Sequence, residues 1–385
     1  MSNEEKYAYM IHSISGVGNK TIFKLMDEFN SFEDAYNASR KDLSRVLSTR
    51  LVNAIEKQKS AWDVDGEYEY LYKRGIDFIP FFSGRYPAKL REIPDPPFAL
   101  YCLGELPAPD KPSVSIIGAR NNSEYGRYAA RRFGERLADM GVQIISGMAR
   151  GIDGIGQQAA IEAGGKTFGV LGSGVDVCYP KENIALYDAI KSYGGLISEY
   201  PPGTEPRPQN FPPRNRIISG LSDAILVVEA RQKSGTFITV DMALEQGKDV
   251  FALPGRVCDS LSEGCNQLIK QGASIASSPE DIIEYLRCGM GDPKCEKRDE
   301  SGQIENNGES AGEKSFSENT LAQLNDTQKL VFAELDFYPT TSAIIYENVL
   351  KKGFEIGVAE VMNVLVELCI MGVVMRNGAG FYRKI

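Results

Sequence analysis

The chain of 385 residues has a single histidine, His12, close to its N-terminus. Histidine is the commonest general base and a common metal ligand, so its scarcity argues against Ser-His-Asp or Cys-His catalysis. The seven cysteines are odd in number and lack C-x-x-C spacing, which argues against a zinc site and a disulfide framework. We therefore expect no catalytic residue, no metal, and cysteines that are reduced thiols.

Long apolar runs are also missing from the sequence. No stretch reaches the roughly 18 apolar residues that a membrane-spanning helix needs. The N-terminal segment, residues 1–6, is acidic and has no apolar core, unlike a secretory signal. We therefore expect a cytoplasmic protein without membrane contact, and this length predicts two or three domains.

A net charge of −9 disfavours nucleic-acid binding on average, but the charge is unevenly distributed. The segment from Arg120 to Arg150 holds six arginines and three acids. Within it, Ala129, Phe133 and Leu137 define a buried helical stripe, so most of the helix arginines are expected on its solvated face. A local basic face is therefore predicted on an acidic protein.

Periodicity and composition divide the chain into four segments. Residues 1–75 have the pattern of short helices, and residues 76–288 alternate strands with helices after an extended, proline-rich entry at 76–112. This alternation predicts an extended Rossmann-like, doubly wound α/β domain with a mostly parallel sheet. Residues 289–320 are predicted to be a disordered linker, and residues 321–385 a winged-helix domain of three helices and a β-hairpin.

The turn at residues 14–20 has two interpretations that remain open. Its glycines match a helix-hairpin-helix turn, as in a helix-hairpin-helix or SAM-like domain, where backbone N–H groups face a phosphate. Lys20 is its only strong phosphate partner, however. A plain turn in a protein-contact module explains the pattern equally well.

Glycine-containing loops follow nearly every predicted strand of the Rossmann-like segment. The carboxyl ends of parallel strands meet at one edge of the sheet, so these loops are expected to form one cleft. Glycines let the backbone approach a ligand, helix N-termini offer N–H groups to an anion, and basic side chains pair with phosphate. The candidate binding residues in these loops are Gly118, Arg120, Ser146, Gly147, Arg150, Gly151, Lys181, Asn183, Ser234, Gly235 and Thr236.

No dinucleotide cofactor is expected in this cleft. The Rossmann fingerprint requires G-x-G-x-x-G after the first strand, whereas residues 118–123 read GARNNS and place Arg120 where a glycine is needed. Residues 172–174, GSG, lack the third glycine, and the chain has no P-loop pattern. A fold of the dinucleotide-binding type without that cofactor is therefore predicted.

The segment at residues 211–221 places Phe211, Arg214, Asn215 and Arg216 at the start of an apolar helix. Stacking of an unpaired base on an aromatic ring, with arginines on the flanking phosphates, is how proteins grip single strands without reading a duplex. The alternative is that Phe211 belongs to the core and the arginines pair with acids such as Asp223. Beside the other basic loops, the first interpretation is favoured.

Five ordered motifs resemble the DNA-processing protein A (DprA/Smf) family. They are SIIGAR at 115–120, SGMARGID at 146–153, GSGVDVCYP at 172–180, FPPRNRIISGL at 211–221, and SGT followed by VFALPG at 234–236 and 250–255. The resemblance is strong over residues 75–287. It implies a non-catalytic homodimer that binds and protects single-stranded DNA and loads the recombinase RecA in natural transformation or related recombination.

Carried over by motif, the resemblance implies that Arg120 and Lys181 are the principal DNA contacts, with Arg214–Arg216 beside them. Family members often carry a histidine shortly after the Gly-Ile-Asp triplet, whereas this chain has Gln157. A function that depends on that histidine is therefore not expected here.

Two alternatives to a DNA-binding function remain. Related Rossmann-like enzymes that cleave nucleoside monophosphates carry a P-G-G-x-G-T-x-x-E loop, and residues 233–239, KSGTFIT, keep the Gly-Thr pair without the glutamate. The second alternative is a protein-binding scaffold. In the predicted winged helix, the third helix at 358–371 contains Glu360 and Glu367 and no Lys or Arg, which favours protein contact over duplex reading.

Overall fold

A computed structural model describes residues 3–289, 324–335, 340–354, 356–371, 374–376 and 381–384. The chain forms two compact units, Met1–Pro293 and Lys294–Ile385. The predicted linker at 289–320 lies outside the described residues except for Gly289. The linker and the predicted domain boundaries therefore stay predictions.

The first unit begins with helices whose apolar faces share one core with the neighbouring strands. Their bounds are α1 Asn3–His12, α2 Asn19–Glu28, α3 Phe32–Asn37, α4 Arg40–Val46, α5 Thr49–Ala61 and α6 Val64–Lys73. Phe78, Phe98 and Tyr101 from the strand region pack among residues of these helices. The N-terminal helices therefore stabilise the sheet that follows them.

A nine-stranded sheet forms the centre of this unit. Its strands are β1 Ile76–Pro80, β2 Ala99–Gly104, β3 Ser113–Ile117, β4 Gln143–Ser146, β5 Thr167–Val170, β6 Gly194–Ser198, β7 Ala224–Val227, β8 Asp249–Ala252 and β9 Ser274–Ile275. The order is β1-β2-β6-β5-β4-β3-β7-β8-β9. The β1–β2 and β2–β6 pairs are antiparallel and the others parallel. The predicted mixed α/β fold with a large, mostly parallel sheet is confirmed.

Helices cover both faces of the sheet. They are α7 Ala88–Arg91, α8 Glu124–Asp139, α9 Ile152–Glu162, α10 Ile184–Tyr193, α11 Phe211–Gly220, α12 Thr236–Glu245, α13 Glu263–Lys270 and α14 Pro279–Gly289. Val114 and Ile116 of β3 pack in the core on the α8 side, whereas Ile117 packs in the core on the α11 side. The alternating direction of side chains along a strand explains this division. The expectation of a helix-free entry at 76–112 is wrong at α7, which buries Leu90 completely.

The strand order reverses at β3. From β3 the chain continues through β4, β5 and β6 on one side, and α11 then carries it to β7 on the other side. Ile117 at the end of β3 is paired with Val227 at the end of β7. Loops that leave this point in opposite directions create a crevice beyond the carboxyl ends of the strands.

The second unit contains α15 Asp326–Ala333, β10 Thr340–Thr341, α16 Ser342–Lys351, α17 Val358–Ile370, β11 Val374–Arg376 and β12 Phe381–Lys384. Its strands lie in the order β10-β12-β11. Val331, Ile345, Val361 and Leu365 form part of its core. The predicted helices and final strands are present, whereas the winged-helix arrangement stays a prediction.

Two further expectations concern membranes and cysteines. Among the helices that the structure describes, none is both long and apolar enough to cross a membrane. Cys288 is disulfide-bonded, so the expectation of reduced thiols throughout is wrong at this position. Sequence spacing does not exclude a bridge between cysteines that folding brings together. Among the cysteines that the structure describes, the free ones are Cys102, Cys178, Cys258, Cys265 and Cys369.

Candidate functional site

A cleft of about 590 Å³ opens beyond the ends of β3 and β7, at the point where the strand order reverses, and we call it the β3–β7 cleft. Its walls come from the loop after β3, the loop after β4, the start of α11 and the start of α12. The predicted binding residues that line it are Gly118, Arg120, Phe211, Arg214, Asn215, Ser234, Gly235 and Thr236. Distant parts of the sequence therefore meet at one site, as the parallel strands require.

Arg120 carries an unneutralised charge at this cleft. Its side chain is exposed, and within the described part of the chain it forms no ion pair. Lys181 is likewise exposed and unpaired among those residues, but it follows the cleft-lining Tyr179 by two positions and does not itself line the cleft. Arg150 also lies outside the lining and faces Glu182 at 3.6 Å. Arg120 is therefore the cation that the cleft presents most directly to a ligand.

Four predicted residues build the loops of the site and do not line the cleft; they are Ser146, Gly147, Gly151 and Asn183. The Ser146 hydroxyl donates to the Ile116 carbonyl at 2.6 Å, and the Asn183 amide donates to the Met148 carbonyl at 2.9 Å. Gly151 has a φ of 78°, and an added Cβ would lie 2.3 Å from the Ala119 carbonyl oxygen. A side chain at this position would therefore push the β3 loop away.

The buried side chain of Arg214 stabilises the floor of the cleft. Only 5% of the residue is exposed. Its Nη1 donates to the Gly147 carbonyl at 2.9 Å and also to the Val170 carbonyl, and its guanidinium lies 5.9 Å from the centre of the Phe211 ring. Burial lowers the pKa of Arg214 to about 10. The arginine therefore remains a cation at neutral pH, but it differs from the exposed phosphate ligand that the sequence suggested.

Arg216 does not line the cleft. Its guanidinium donates to both carboxylate oxygens of Glu199, at 3.0 and 2.6 Å, and to the Asp95 carbonyl at 2.7 Å. These bonds occupy the donors that a phosphate would use, so the expected phosphate contact by Arg216 is corrected to a structural function. The alternative partner, Asp223, pairs instead with Lys89 at 2.8 Å.

Two aromatic rings of the cleft pack against each other and form what we call the Phe211–Tyr179 surface. Phe211 is half-buried and packs on Tyr179 with ring centres 5.4 Å apart and an angle of 32° between the rings. Tyr179 is 42% exposed. The alternative that Phe211 belongs to the core is therefore not supported. Tyr179 lies in a motif that the sequence analysis noted, but nothing in the pattern indicated its contact with Phe211.

Asp153 is a carboxylate on the floor of the cleft that sequence reasoning did not select. It lies in the first turn of α9, is 7% exposed, and accepts the Gly147 backbone N–H at 3.2 Å. Burial raises its pKa, and the charge of Arg214 offsets part of that rise. Its place in the SGMARGID motif is the signal that could have identified it.

Glu229, two residues beyond the end of β7, occupies the N-terminus of α8. It is fully buried, accepts the Ser123 backbone N–H at 2.9 Å, and also accepts the Ser123 hydroxyl. A Cβ added to Gly126 would lie 2.2 Å from this carboxylate, so a larger residue there would collide with it. In dinucleotide-binding domains the pyrophosphate occupies the N-terminus of the helix after the first strand. Glu229 and Arg120 thus both occupy space that a dinucleotide would need.

Gln157, where the family resemblance led us to expect a histidine, is a structural residue. It is fully buried, and its Oε1 accepts the Met148 backbone N–H at 3.2 Å while its Nε2 donates to the Phe168 carbonyl at 3.0 Å. Met148 has a φ of 53°, a left-handed conformation that is strained for a residue with a side chain. Gln157 therefore holds the β4 loop in this bend.

A second groove, of about 880 Å³, includes most of the turn at residues 14–20. The segment at 207–216 separates it from the cleft, because Pro213 lines the groove and Pro212 lines the cleft. The groove contains the carboxylates of Glu67, Asp95, Glu199 and Glu205. The same lining contains Arg74, Arg207 and Arg216, so the charges of the groove nearly balance. The helix-hairpin-helix interpretation therefore stays a prediction.

The region that carries the cleft is similar to known proteins. The family model of DNA recombination-mediator protein A matches residues 77–287. DNA processing protein DprA of Bacillus subtilis (strain 168) is 43% identical over 215 residues, which are 56% of this chain and 72% of that protein. Protein Smf of Escherichia coli (strain K12) is 46% identical over 213 residues, which are 55% of this chain and 57% of that protein.

Two solved structures are also similar. The X-ray structure of DNA processing protein A from Streptococcus pneumoniae has a TM-score of 0.64 and 34% identity, and the match covers 74% of this chain and 98% of that one. A structure of DNA processing protein A from Helicobacter pylori, described for its single-stranded DNA binding mode, has a TM-score of 0.51 and 30% identity. That match covers 56% of this chain and 96% of the other.

The pH dependence of a Glu229→Gln variant tests the buried carboxylate. Burial raises the pKa of Glu229 above its ordinary value of 4.5, so the folded state holds this proton more tightly than the unfolded chain. The stability it contributes is present at low pH and is lost as pH rises through the raised pKa. Because glutamine does not titrate, the free energy of unfolding of the variant should increase relative to the wild type as the pH rises above about 4.5, measured by urea denaturation at a series of pH values.

Glu135→Gln is the control, because Glu135 is an exposed glutamate on α8, the helix whose first turn Glu229 contacts. If the two variants show the same change with pH, the effect arises from overall net charge and the buried position of Glu229 is not its cause.

Proposed function

The chain belongs to the DNA recombination-mediator protein A family, and on that premise we propose that it binds single-stranded DNA in the β3–β7 cleft without catalysing a reaction. The observation that carries the proposal is one cleft that combines the Phe211–Tyr179 surface with the unpaired guanidinium of Arg120. Every base has a π face, so stacking tolerates any sequence, while the cation neutralises backbone phosphate. The Helicobacter pylori relative, described for its single-stranded DNA binding mode, supports this assignment.

The dimensions of the cleft favour a single strand over a duplex. A volume of about 590 Å³ is in the range of pockets that enclose a small molecule, such as an unstacked base with its sugar. In a duplex the bases are paired and stacked inside the helix, so their faces cannot contact Phe211 without strand opening. Asn215, Ser234 and Thr236 also line the cleft and offer hydrogen bonds to a base edge or a phosphate.

The distribution of acids and bases supports binding over the enzymatic alternative. His12 lies outside the cleft, is 8% exposed, and has its Nδ1 3.0 Å from the Tyr101 hydroxyl. Burial lowers its pKa to about 4, so it is a neutral core residue. The carboxylates of Asp153 and Glu229 accept hydrogen bonds from the protein itself. The glutamate of the nucleotide-cleaving loop is absent from the start of α12, where residues 236–239 read TFIT.

We extend the proposal to homodimerisation through the Rossmann-like domain and to RecA loading in natural transformation or related recombination, in the cytoplasm. The winged-helix unit would contribute a protein contact. The side chains of Val358, Val366 and Ile370 on α17 are exposed, and Glu360 and Glu367 are exposed on the same helix. An apolar and acidic helix surface of this kind suits a protein partner better than the phosphates of a duplex.

Substitution of either proposed cation tests the DNA-binding site. Arg120→Ala and Lys181→Ala should each weaken binding to oligothymidylate, and each should reduce the slope of log affinity against log salt by about 0.7 for each phosphate that the variant no longer neutralises. Because both side chains are exposed, thermal stability should change little. Fluorescence anisotropy across a salt titration measures both quantities, and a duplex of the same length should bind more weakly.

Arg287→Ala is the matched control, because Arg287 is an exposed arginine in the last turn of α14. Its removal should leave the slope unchanged. Unchanged affinity and slope in both Arg120→Ala and Lys181→Ala would refute the proposed site.

The proposed RecA function has its own test. The wild-type protein should shorten the lag before RecA assembles on single-stranded DNA, because it presents the strand to the recombinase. The DNA-dependent ATP hydrolysis of RecA measures this assembly. Arg120→Ala should lose this effect in proportion to its loss of DNA affinity. An equal stimulation by the wild type and the variant would show that RecA loading does not require the cleft.

A further inference from the structure

The loop between β7 and α12, residues 228–235, carries two cations that do not line the β3–β7 cleft, Arg231 and Lys233. We propose that the bound strand leaves the cleft across residues 231–235, which we call the exit loop, and that Arg231 and Lys233 neutralise its next phosphates. The inference rests on the proposed binding of single-stranded DNA, and it adds a second contact surface beside the cleft.

The sheet places the exit loop beside the loop that carries Arg120. β3 and β7 are parallel neighbours whose last residues, Ile117 and Val227, are in register. The Val228 N–H donates to the Ile117 carbonyl at 3.1 Å, so the two chains are still side by side where the strands end. Arg120 and Arg231 follow these strand ends within a few residues. The two loops therefore leave the same edge of the sheet about one strand spacing, roughly 5 Å, apart.

The two cations of the exit loop are available to a ligand. The side chains of Arg231 and Lys233 are exposed, and within the described residues neither forms an ion pair. The acid of the same loop, Glu229, is buried and accepts the Ser123 backbone N–H at 2.9 Å. A phosphate can therefore bind Arg231 and Lys233 without first breaking an ion pair.

Two cations at the opposite edge of the sheet are paired instead. Lys166 directly precedes β5 and lies 2.8 Å from Glu105, and Asp223 directly precedes β7 and lies 2.8 Å from Lys89. The edge with the cleft presents exposed cations that form no ion pair among the described residues, namely Arg120, Lys181, Arg231 and Lys233. This asymmetry concentrates positive potential along one edge of the sheet.

The loops that carry these cations lie in a row that crosses the strands. Lys181 follows β5, Arg120 follows β3 and the exit loop follows β7, and the sheet has the order β5-β4-β3-β7. Neighbouring strands are about 4.8 Å apart, so the row spans about 14 Å from β5 to β7. An extended strand that passes Lys181 and Arg120 therefore reaches the exit loop. The span corresponds to a short single-strand site of about four nucleotides.

Gly235 gives the exit loop a bare backbone where the loop meets the cleft. It lines the cleft together with Ser234 and Thr236. Its φ of −61° is accessible to any residue, and an added Cβ would meet no atom within 4 Å. Neither the backbone conformation nor the packing of the described chain therefore requires glycine at this position. The absence of a side chain instead leaves room for a strand to contact the backbone.

The first experiment removes both cations of the exit loop from the full-length protein. The double variant Arg231→Ala, Lys233→Ala should bind an oligothymidylate of about 20 nucleotides about tenfold more weakly than the wild type. The slope of log affinity against log salt should fall by about 0.7 for each phosphate that the variant no longer neutralises. Fluorescence anisotropy across a salt titration measures both quantities. The melting temperature should not change, because both side chains are exposed.

Two further variants control this experiment. The double variant Lys270→Ala, Arg287→Ala removes the same charge from exposed positions in the last turns of α13 and α14, so it should keep the wild-type affinity and slope. The exchange variant Arg231→Lys, Lys233→Arg keeps both charges of the exit loop and should also retain the slope. An exit-loop alanine variant that binds as tightly as the Lys270–Arg287 control, with the same slope, would overturn the proposal.

The second experiment tests the bare backbone of the exit loop. Gly235→Ala should weaken binding about fivefold without lowering the melting temperature, because the added methyl group meets the strand and no atom of the described chain. Gly84→Ala is the matched control, since its added Cβ also has no neighbour within 4 Å and Gly84 lies outside the cleft lining. Equal affinities of the two variants would contradict the passage of the strand over this loop.

The outcomes separate this inference from the proposed function. If the wild type binds no oligonucleotide, both proposals fail. If Arg120→Ala loses affinity and the exit-loop alanine variant does not, DNA binding in the cleft stands and the exit path is wrong. If the exit-loop variant binds DNA normally but no longer stimulates RecA assembly, the exit loop contacts a protein, which also overturns the inference.

Discussion

The hydrogen bonds between Glu229 and Ser123 connect the end of β7 to the start of α8, next to the site. Glu229 follows β7 and Ser123 precedes α8, so this contact fixes the far end of the loop that begins at β3. Arg120 lies in the middle of that loop. Gly151 packs directly against this loop, because the absence of a Cβ lets the backbone of Ala119 approach it closely. The exposed guanidinium of Arg120 thus belongs to a loop that β3 fixes at one end and the Ser123–Glu229 hydrogen bonds fix at the other.

The same contact limits what the cleft can bind. A helix N-terminus beside the first strand is the usual phosphate position of this fold, and here the chain supplies the anion itself. The remaining cleft offers Arg120, the polar start of α12 and the Phe211–Tyr179 surface. These groups suit a flexible strand whose charge is spread over several phosphates and whose bases are free to stack. A dinucleotide concentrates its charge at the position that is already filled.

The fold and the location of the cleft could be predicted from sequence, because strand and helix periods are local and the carboxyl ends of parallel strands share one edge. Arg120 was identifiable because it replaces a required glycine. The structural functions of Arg214 and Arg216 could not be predicted. The sequence does not show whether an arginine will contact a protein group, as Arg216 contacts Glu199, or a ligand. The Tyr179–Phe211 contact and the hydrogen bonds of Glu229 at the start of α8 depend on tertiary packing between distant segments. Local sequence patterns do not predict such packing.

We propose that a strand enters the β3–β7 cleft and that its bases stack there. The most direct measurement is photo-crosslinking of the full-length protein to oligonucleotides containing 5-iodouracil, followed by mass spectrometric mapping of the attached peptides, because this base couples to the aromatic side chain on which it stacks. We expect attachment at Phe211 or Tyr179, and excess unlabelled single strand should abolish it. Attachment confined to Trp62 or Tyr70 in the second groove, or to the second unit, would contradict it.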